Sequence, residues 1–206
     1  MLGLLGTGSK SLVLHDVFVP EHRSVMVSDL FAVTPPGALV HPDYPVLRAP
    51  RGFLVSYSLP PVAIALGRRA LDIACATLAT RVSRGVTRVA ESEIVQMTIG
   101  EAAAAIDVAT LLLHTGRDYS TAEVSSGRRI TEAEALRARR DMVYAQHQVG
   151  WALDRLCEMD GARWVYDSDE LGAIRRDVMT ILTHHAASRQ AAMAPYGRLL
   201  LSAGQI

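Results

Sequence analysis

His184 and His185 are the residues of this sequence best suited to acid–base chemistry, because a histidine ring titrates near neutral pH. Adjacent positions of a continuous helix diverge by about 100°, so we expect the two rings to act separately. His185 continues an apolar row through Val178, Ile181 and Leu182, which predicts a position in the core. His184 lies at the edge of that row. The residues alone leave two interpretations of His184 open, a structural histidine and an active-site acid or base.

A second candidate site lies where two predicted helices meet. Arg81, Arg84 and Arg88 precede Ser92 and Gln96, which fall on the opening turns of a helix. A helix N-terminus offers unpaired N–H groups and partial positive charge, and arginine adds forked donors for phosphate. The segment therefore indicates either an anion-binding site or a solvated basic turn with a helix cap.

The N-terminal segment combines a glycine-rich turn, Gly6-Thr7-Gly8-Ser9, with a short apolar stretch. The residues from Leu12 to Val19 are typical of a β-strand, which would end at Pro20. A single strand cannot satisfy its backbone groups alone, so we expect residues 1–30 to be ordered against another chain or folded back across this one. The hydroxyls of Thr7 and Ser9 indicate either a plain turn or a ligand contact.

The composition excludes several classes of function. The chain has 206 residues, a formal net charge of zero and a pI near 7.1, which gives no electrostatic basis for binding nucleic acid or an anionic membrane. Charged residues should interrupt the apolar runs before they reach the length of a bilayer span. The spacing of His and Cys fits no zinc site. Cys75 and Cys157 fall within helical patterns, where we expect small buried thiols in a reducing cytoplasm.

Apolar residues at helical spacing predict long amphipathic helices in the remainder of the chain. Their expected extents are Pro60 to Ser83, Ser92 to Tyr119, Thr131 to Met159 and Ser168 to Leu201. Helices of this length with short connectors favour an up-down-up-down four-helix bundle. We therefore predict an all-α fold, an up-down-up-down four-helix bundle preceded by a short β segment. Ala-rich stretches such as Ala102 to Ala105 would allow close helix packing or an oligomer interface.

Three segments carry a resemblance to a known family. Residues 3–9, Gly-Leu-Leu-Gly-Thr-Gly-Ser, followed by Asp-Val-Phe-Val-Pro-Glu at 16–21, resemble the end of the middle β-domain of the acyl-CoA dehydrogenase superfamily. The similarity is closest to the group D flavin-dependent monooxygenases, such as p-hydroxyphenylacetate hydroxylase. Residues 81–96 resemble the segment that approaches the flavin phosphate or ribityl chain in that family. Residues 176–184, followed by Tyr-Gly-Arg at 196–198, resemble its final helix.

For the fold, this resemblance implies three parts and covers the second half of the family's length. Residues 1–33 would be a remnant of the middle β-domain, 34–55 a connector, and 56–206 the C-terminal four-helix bundle, which resembles the acyl-CoA dehydrogenase C-terminal domain. The site residues that it implies are Thr7 and Ser9 near the flavin, Arg81, Ser92 and Gln96 as flavin ligands, and His184 as the active-site histidine near the flavin C4a position.

For the activity, the resemblance implies the oxygenase component of a flavin-dependent monooxygenase, or its C-terminal part. Such a protein takes reduced FMN or FAD from a separate flavin reductase and hydroxylates an aromatic or polyketide-like small molecule through a flavin C4a-hydroperoxide. Independently of the resemblance, the Ala-rich outer faces of the helices and the unpaired strand predict a homodimer or a homotetramer. The alternative is a truncated homologue without flavin, which would act as a scaffold, as a split-enzyme subunit with a complementary partner, or as a repurposed catalyst in secondary metabolism.

Overall fold

Long helices pack side by side around one central helix. The computed structural model describes residues 2–30, 36–49, 51–83 and 88–203. The helices within these residues are α1 (Val27–Leu30), α2 (Pro36–Val40), α3 (Arg51–Val55), α4 (Pro60–Thr80), α5 (Glu93–Ser126), α6 (Glu132–Asp160), α7 (Glu170–Thr183) and α8 (Arg189–Ala203). α6 contacts α4, α5, α7 and α8, and α4 contacts α5 and α7. The predicted all-α bundle is confirmed, with α7 and α8 together in the place of its fourth helix.

The ends of the helices follow local signals in the sequence. Pro60 and Pro61 occupy the first turn of α4. Backbone N–H groups in the first turn have no acceptor within the helix, so proline loses no hydrogen bond there. At the start of α6, Thr131 Oγ1 accepts a hydrogen bond from the Glu134 N–H at 3.3 Å, and Glu134 Oε2 accepts one from the Thr131 N–H at 2.8 Å. Gly127 ends α5 with a φ of 73°, a left-handed conformation that carries no steric penalty without a Cβ.

Small side chains let the helices of the bundle approach closely. The buried alanines where α4, α5 and α6 meet include Ala70, Ala74, Ala102, Ala145 and Ala152. Ile106 and Leu153 belong to the same cluster and fill the space between the backbones. A close-packed core of this kind holds the helices in fixed relative positions, because its side chains have little room to move.

The last helical segment is broken at His184, so the expectation of one helix from Ser168 to Leu201 is wrong. His184 has an extended backbone with ψ at 142°, and a 3₁₀ turn at His185–Ala187 separates α7 from α8. Ser188 favours the break because its Oγ accepts a hydrogen bond from the Ala191 N–H at 3.3 Å, as an N-cap residue does at the start of a helix.

The predicted strand from Leu12 to Val19 is also wrong. No strand forms in residues 2–30, and across the described ranges the β pairing consists of an isolated bridge between Val82 and Arg88. The apolar side chains of the expected strand are exposed, and Phe18 is 87% accessible. The physical reason is that a strand needs a second strand beside it to pair its backbone N–H and C=O groups. The bundle consists of helices, whose backbone groups are already paired.

Residues 3–9 do fold back onto α7, which agrees with one of the two expectations for the N-terminal segment. Gly3 is buried, and a Cβ at this position would overlap the carbonyl oxygen of Arg176. The N–H of Leu4 donates to Asp177 Oδ1 at 2.5 Å. Glycine is therefore required for the close approach of the two backbones.

The segment before the bundle is attached through α3. Phe53 is buried with Ala49, Ile130 and Ala138 in a small second core, and this cluster joins α3 to α6. α3 lies inside the predicted connector 34–55. The division into residues 1–33, 34–55 and 56–206 stays a prediction.

α5 is apolar on its outer face as well as its inner face. By length and composition it could cross a membrane, with a mean hydropathy of 1.4 over a window of which 28% is buried. Glu101 and Asp107 nevertheless interrupt the apolar runs of this helix. A core helix of a bundle passes the same test, and α5 packs along α4 and α6.

Candidate functional site

The turn between α7 and α8 places both candidate histidines at the surface. His184 and His185 are exposed, with their ring centroids 4.3 Å apart. The predicted core position of His185 is wrong, because the helical periodicity on which it rested stops at the end of α7. Ala187 is the residue of this turn that is fully buried.

Two hydrogen bonds hold the turn in place. The His147 ring on α6 donates from Nε2 to the Ala187 carbonyl oxygen at 3.0 Å. Within the turn, His184 Nδ1 accepts a hydrogen bond from the Ala186 N–H at 3.2 Å. A neutral imidazole with an accepting Nδ1 carries its proton on Nε2, so this arrangement leaves His184 with an N–H to donate. The sequence gives no signal of this contact, which joins residues forty positions apart.

Two cavities border this turn. The larger one, of about 420 Å³, lies between α3, the start of α4, α6 and the turn. Its apolar wall consists of Val55, Leu59, Pro60, Met142 and Val143. Its polar lining consists of Arg51, Ser56, Arg139, Gln146, His184 and His185. The volume and the mixture of an apolar wall with a few polar groups are typical of small-molecule sites.

A smaller cavity of about 320 Å³ lies on the other side of His184. Its lining residues are Leu4, Thr7, Ser9, Leu59, Thr180, Ile181, Thr183 and His184. The structure therefore brings together Thr7, Ser9 and His184, which are far apart in sequence. Thr7 Oγ1 donates to the Leu4 carbonyl oxygen at 2.9 Å and lies 3.3 Å from Ser9 Oγ, so the two hydroxyls form one polar edge.

Arg51, Ser56, Arg139 and Gln146 line the larger cavity but were not among the sequence candidates, and the last two lie on α6. Gln146 is 2% exposed, and Arg139 lies seven residues earlier on the same face of α6. The sequence carries a weak signal for them, since a glutamine on the apolar face of a long helix is uncommon.

The second sequence-predicted group lies at the other end of the bundle. Arg81 Nη1 donates to the carbonyl oxygens of Met159 at 3.2 Å and Asp160 at 2.9 Å, which satisfies the last turn of α6. Ser92 occupies the N-cap position of α5, and its side chain makes no capping bond. Arg84 lies outside the described residues.

The side chain of Gln96 is occupied locally, because its Nε2 donates to the Ala90 carbonyl oxygen at 2.9 Å. Arg81 follows the C-terminus of α4, whereas Pro60 at the N-terminus of α4 lines the larger cavity beside His184. Twenty-one helical residues separate the two sites by about 30 Å along the axis. The roles of Arg81, Ser92 and Gln96 as flavin ligands stay predictions, and one chain does not bring these residues to His184.

The described residues contain no cluster of three or more His, Cys, Asp or Glu side chains that could hold a metal ion. Cys157 is buried, and burial raises its pKa to about 12. Cys75 is exposed, so the expectation of a buried thiol is wrong at this position.

Comparison with known proteins places this site in a family. The model of the family described as acyl-CoA dehydrogenase, C-terminal domain, matches residues 58–189. The chain belongs to this family. The match begins just before α4 and ends at the start of α8, so it covers both candidate histidines and the walls of α4 and α6.

Three similar proteins are longer than this chain and match it over part of their own length. The oxygenase subunit HsaA of a flavin-dependent monooxygenase from Mycobacterium tuberculosis is 30% identical over 199 residues, which are 96% of this chain and 50% of the relative. The oxygenase component of an FADH2-dependent resorcinol hydroxylase from Rhizobium sp. is 32% identical over 63% of this chain and 32% of the relative. The structure of 3-HSA hydroxylase from Rhodococcus sp. RHA1 superposes with a TM-score of 0.86 at 26% identity, over 98% of this chain and 52% of that one. The chain thus spans about half the length of the HsaA relatives it matches.

Proposed function

We propose that this chain forms the helical part of an oxygenase that hydroxylates a small aromatic or polyketide-like molecule with a reduced flavin supplied by a separate reductase. The observation that carries the proposal is that His184 borders two cavities at once. A flavin-dependent hydroxylation requires the flavin and the acceptor molecule to lie side by side in a site that excludes water. The similarity to flavin-dependent oxygenase subunits supports the same assignment.

The smaller cavity is our candidate for the flavin side. Leu4, Leu59 and Ile181 offer apolar surface to a flat ring system, and Thr7 and Ser9 offer hydroxyl oxygens at its edge. A reduced flavin has ring N–H groups, and hydroxyl oxygens can accept hydrogen bonds from them. The residues present therefore fit one edge of a reduced FMN or FAD. We assign Thr7 and Ser9 to that edge.

The larger cavity is our candidate for the acceptor side. When bound, a reduced flavin would supply the chemistry that activates dioxygen for transfer of one oxygen atom to the acceptor. The protein's part is to orient the acceptor against Met142 and Val143 and to exclude water from the site. His184 lies between the two ligands, where a ring N–H can donate a hydrogen bond to the oxygen that is transferred.

The hydrogen bond that His184 Nδ1 accepts determines whether the neutral ring acts as a donor or as a base. Because Nδ1 is already used by the Ala186 N–H, Nε2 carries the proton and acts as a donor rather than as a base. We therefore favour His184 as a hydrogen-bond donor in the oxygen-transfer step. Uptake of the phenol proton would require His184 to exchange its bond to Ala186.

The distance between the two sequence-predicted groups favours a homodimer or homotetramer. In both FMN and FAD only a ribityl chain separates the ring system from the first phosphate, and this chain is far shorter than the separation of about 30 Å between Arg81 and His184 in one subunit. If both groups bind one flavin, Arg81, Ser92 and Gln96 come from a second copy. The outer face of α5, which is apolar and exposed, offers a surface for such an assembly.

An anaerobic titration of the full chain tests the proposal. Reduced FMN and reduced FAD should each raise the melting temperature as their concentration passes the dissociation constant. The His184→Ala variant should bind reduced flavin but fail to incorporate labelled oxygen from dioxygen into a phenol, whereas His22→Ala, an exposed histidine outside both cavities, should behave as the wild type.

A second candidate is a subunit that acts only with a complementary partner. The exposed apolar residues from Leu12 to Val19 favour it, since a segment without a pairing partner in its own chain can become a strand of another protein's sheet. The same titration separates the candidates. Absence of both heat and thermal shift with millimolar reduced flavin would favour the partner-dependent subunit over the self-sufficient flavin site.

A further inference from the structure

Residues 3–9, which we call the strap, are attached to the bundle at their first two positions. Gly3 lies so close to α7 that a Cβ would overlap the carbonyl oxygen of Arg176. The Leu4 N–H donates to Asp177 Oδ1 at 2.5 Å. Asp177 lies seven residues before the end of α7 at His184, about 10 Å along the helix axis. The attachment is therefore below the smaller cavity, and the remainder of the strap extends beside it.

Beyond Leu4 the segment follows this attachment rather than making its own. Residues 5–19 are exposed, and among the described residues the hydrogen bonds of residues 5–29 stay within the segment that begins at Leu4. The Thr7 N–H and the Thr7 hydroxyl both donate to the Leu4 carbonyl oxygen, at 3.1 and 2.9 Å. A rotation of the backbone at Leu4 would thus move Thr7 together with Ser9.

Leu4 has an unfavourable backbone conformation. Its φ is 53° and its ψ is 37°, in the left-handed region, where Cβ lies too close to the following carbonyl oxygen. Such a φ is an outlier for a bulky residue, and within the described residues Asp16 is the other non-glycine example. Strained backbone persists where its surroundings hold it, and it is concentrated at ligand clamps and switch regions. Here the strain lies at the residue that attaches the strap, so detachment relieves it.

We propose that the strap is a lid over the smaller cavity, with Leu4 as its strained hinge and Asp177 as the acceptor that holds it closed. In the closed state Thr7 and Ser9 line the same cavity as His184. When the bond to Asp177 breaks, Leu4 leaves the left-handed region and both hydroxyls move away. The strain lowers the cost of this opening, so a ligand can enter and leave a site that is closed to water during reaction.

This inference rests on the proposed function for the identity of the ligand, a reduced flavin. The hinge and the hydrogen bond that closes it require no ligand. Opening can therefore be measured on the flavin-free chain, and its effect on binding can be measured separately.

Two variants at position 4 test the hinge in the flavin-free full chain. Leu4→Gly and Leu4→Ala both remove the side chain that lines the cavity, but only alanine pays the penalty of the left-handed backbone. We expect the N–H of position 4 to have an about 5-fold higher protection factor against hydrogen exchange in Leu4→Gly than in Leu4→Ala. Leu5→Gly and Leu5→Ala are the matched controls. Leu5 has no positive φ, so glycine there should lower the protection of the same N–H.

Two variants at position 177 test the bond that closes the lid. Asp177→Ala removes the acceptor and should lower the protection factor of the Leu4 N–H at least about 10-fold, the range for a hydrogen bond to a charged group. Asp177→Asn keeps a carbonyl oxygen at the same place and should restore part of the protection, because a neutral acceptor makes a weaker bond.

Binding rates distinguish a lid from a fixed wall. Reduced FMN, mixed anaerobically with each variant in a stopped-flow experiment, should associate and dissociate more slowly with Leu4→Gly than with Leu4→Ala, because the glycine variant is closed for more of the time. Asp177→Ala should bind and release it faster than the wild type. A fixed wall that contacts the flavin would change the dissociation rate and leave the association rate unaltered.

Equal protection at position 4 in Leu4→Gly and Leu4→Ala overturns the inference, as does unchanged protection of the Leu4 N–H in Asp177→Ala. Equal association rates for the two position-4 variants also overturn it, because the strap is then a wall. Failure of the proposed function is a different result, namely a wild-type chain that does not bind reduced flavin. The exchange measurements then still decide between a hinged strap and a fixed one.

Discussion

His147 on α6 donates from Nε2 to the carbonyl oxygen of Ala187, and this bond of 3.0 Å anchors the break between α7 and α8 to the central helix of the bundle. Ala187 itself is fully buried, so packing and this hydrogen bond fix the turn at the same residue. His184 lies three residues before this anchor. The position of the candidate catalytic ring is therefore set by a residue on another helix.

The first prediction concerns this anchor. His147→Ala should lower the free energy of unfolding by about 1 kcal/mol, the net value of a typical buried hydrogen bond, and should also loosen the turn that carries His184. Urea unfolding measures the first effect, and the NMR line widths of the His184 ring measure the second. His114→Ala on the exposed face of α5 is the control. Unchanged His184 signals in the His147 variant would contradict the anchoring role.

The second prediction concerns the histidine pair. Both rings are exposed, so neither His184→Ala nor His185→Ala should open a core cavity, and both variants should melt close to the wild type. If the proposed function holds, His184→Ala should lower turnover by about 10²–10³-fold, the usual range for losing one positioned hydrogen-bond donor. His185 lines only the larger cavity, so its substitution should act mainly on the apparent affinity for the acceptor.

The opposite pattern would assign the chemistry to His185. A full loss of turnover in His185→Ala with normal turnover in His184→Ala would show that the ring on the acceptor side does the work. Normal turnover in both variants would remove this turn from the mechanism.

The helices could be predicted from sequence because their signals are local. The capping box at Thr131 and the prolines at the start of α4 act within one turn, and the apolar periodicity of each helix is visible without its neighbours. The break at His184 could not be predicted in the same way. The periodicity through Val178 and Ile181 continues smoothly into His185, and the contact that fixes the break comes from His147 on another helix.

The candidate site, too, could be predicted only in part from the sequence. His184, Thr7 and Ser9 were sequence candidates, but the shared cavity depends on Gly3, whose lack of a Cβ lets residues 3–9 lie on α7. Gln146 Oε1, which has no hydrogen-bond partner among the described residues, becomes a buried acceptor only once the bundle has formed around it. Burial and satisfaction of polar atoms are properties of the packed structure, so a single sequence does not contain them explicitly.

The third prediction concerns this N-terminal docking. Gly3→Ala should detach residues 3–9, because the added Cβ overlaps the backbone of Arg176. The Leu4 N–H, now bonded to Asp177, should then exchange with solvent faster, and affinity for reduced flavin should fall if Thr7 and Ser9 contact it. Gly6→Ala is the matched control, since a Cβ at Gly6 meets nothing within 4 Å. Equal exchange rates in the two variants would refute the docking.

The fourth prediction concerns assembly. Exposed residues on the outer face of α5 form a stripe with the alternating spacings of three and four of a helix–helix seam, and this stripe is apolar except at Glu101. Its apolar members are Ile94, Met97, Ala104, Val108 and Leu111. We expect a dimer or tetramer in light scattering, and Leu111→Glu should reduce its mass towards the 22.3 kDa of one chain. Thr121→Glu, exposed on the same helix outside the stripe, should leave the assembly intact. A wild-type monomer at micromolar concentration would contradict this prediction.

The fifth prediction concerns acid stability at the connection between α5 and α6. Glu134 accepts a hydrogen bond from Arg128 Nη2 at 2.6 Å and also contacts the Tyr119 hydroxyl, while Arg128 contacts Glu123. The Arg128 guanidinium lowers the pKa of Glu134 from 4.5 to about 2. A carboxyl group with a lowered folded-state pKa stabilises the fold fully above its unfolded value, and this contribution is lost as the pH falls through the folded value.

The window for this effect therefore runs from pH 4.5 down to about 2. Glu134→Gln should unfold at a lower urea concentration than the wild type at neutral pH, and the two midpoints should converge across that window. Because the network is at the surface, the difference should be small and should shrink at high salt. Glu132→Gln removes one negative charge from the same turn and is the control. Midpoints that stay equally far apart at every pH would show that Glu134 contributes through the neutral capping bonds to Thr131 rather than through its charge.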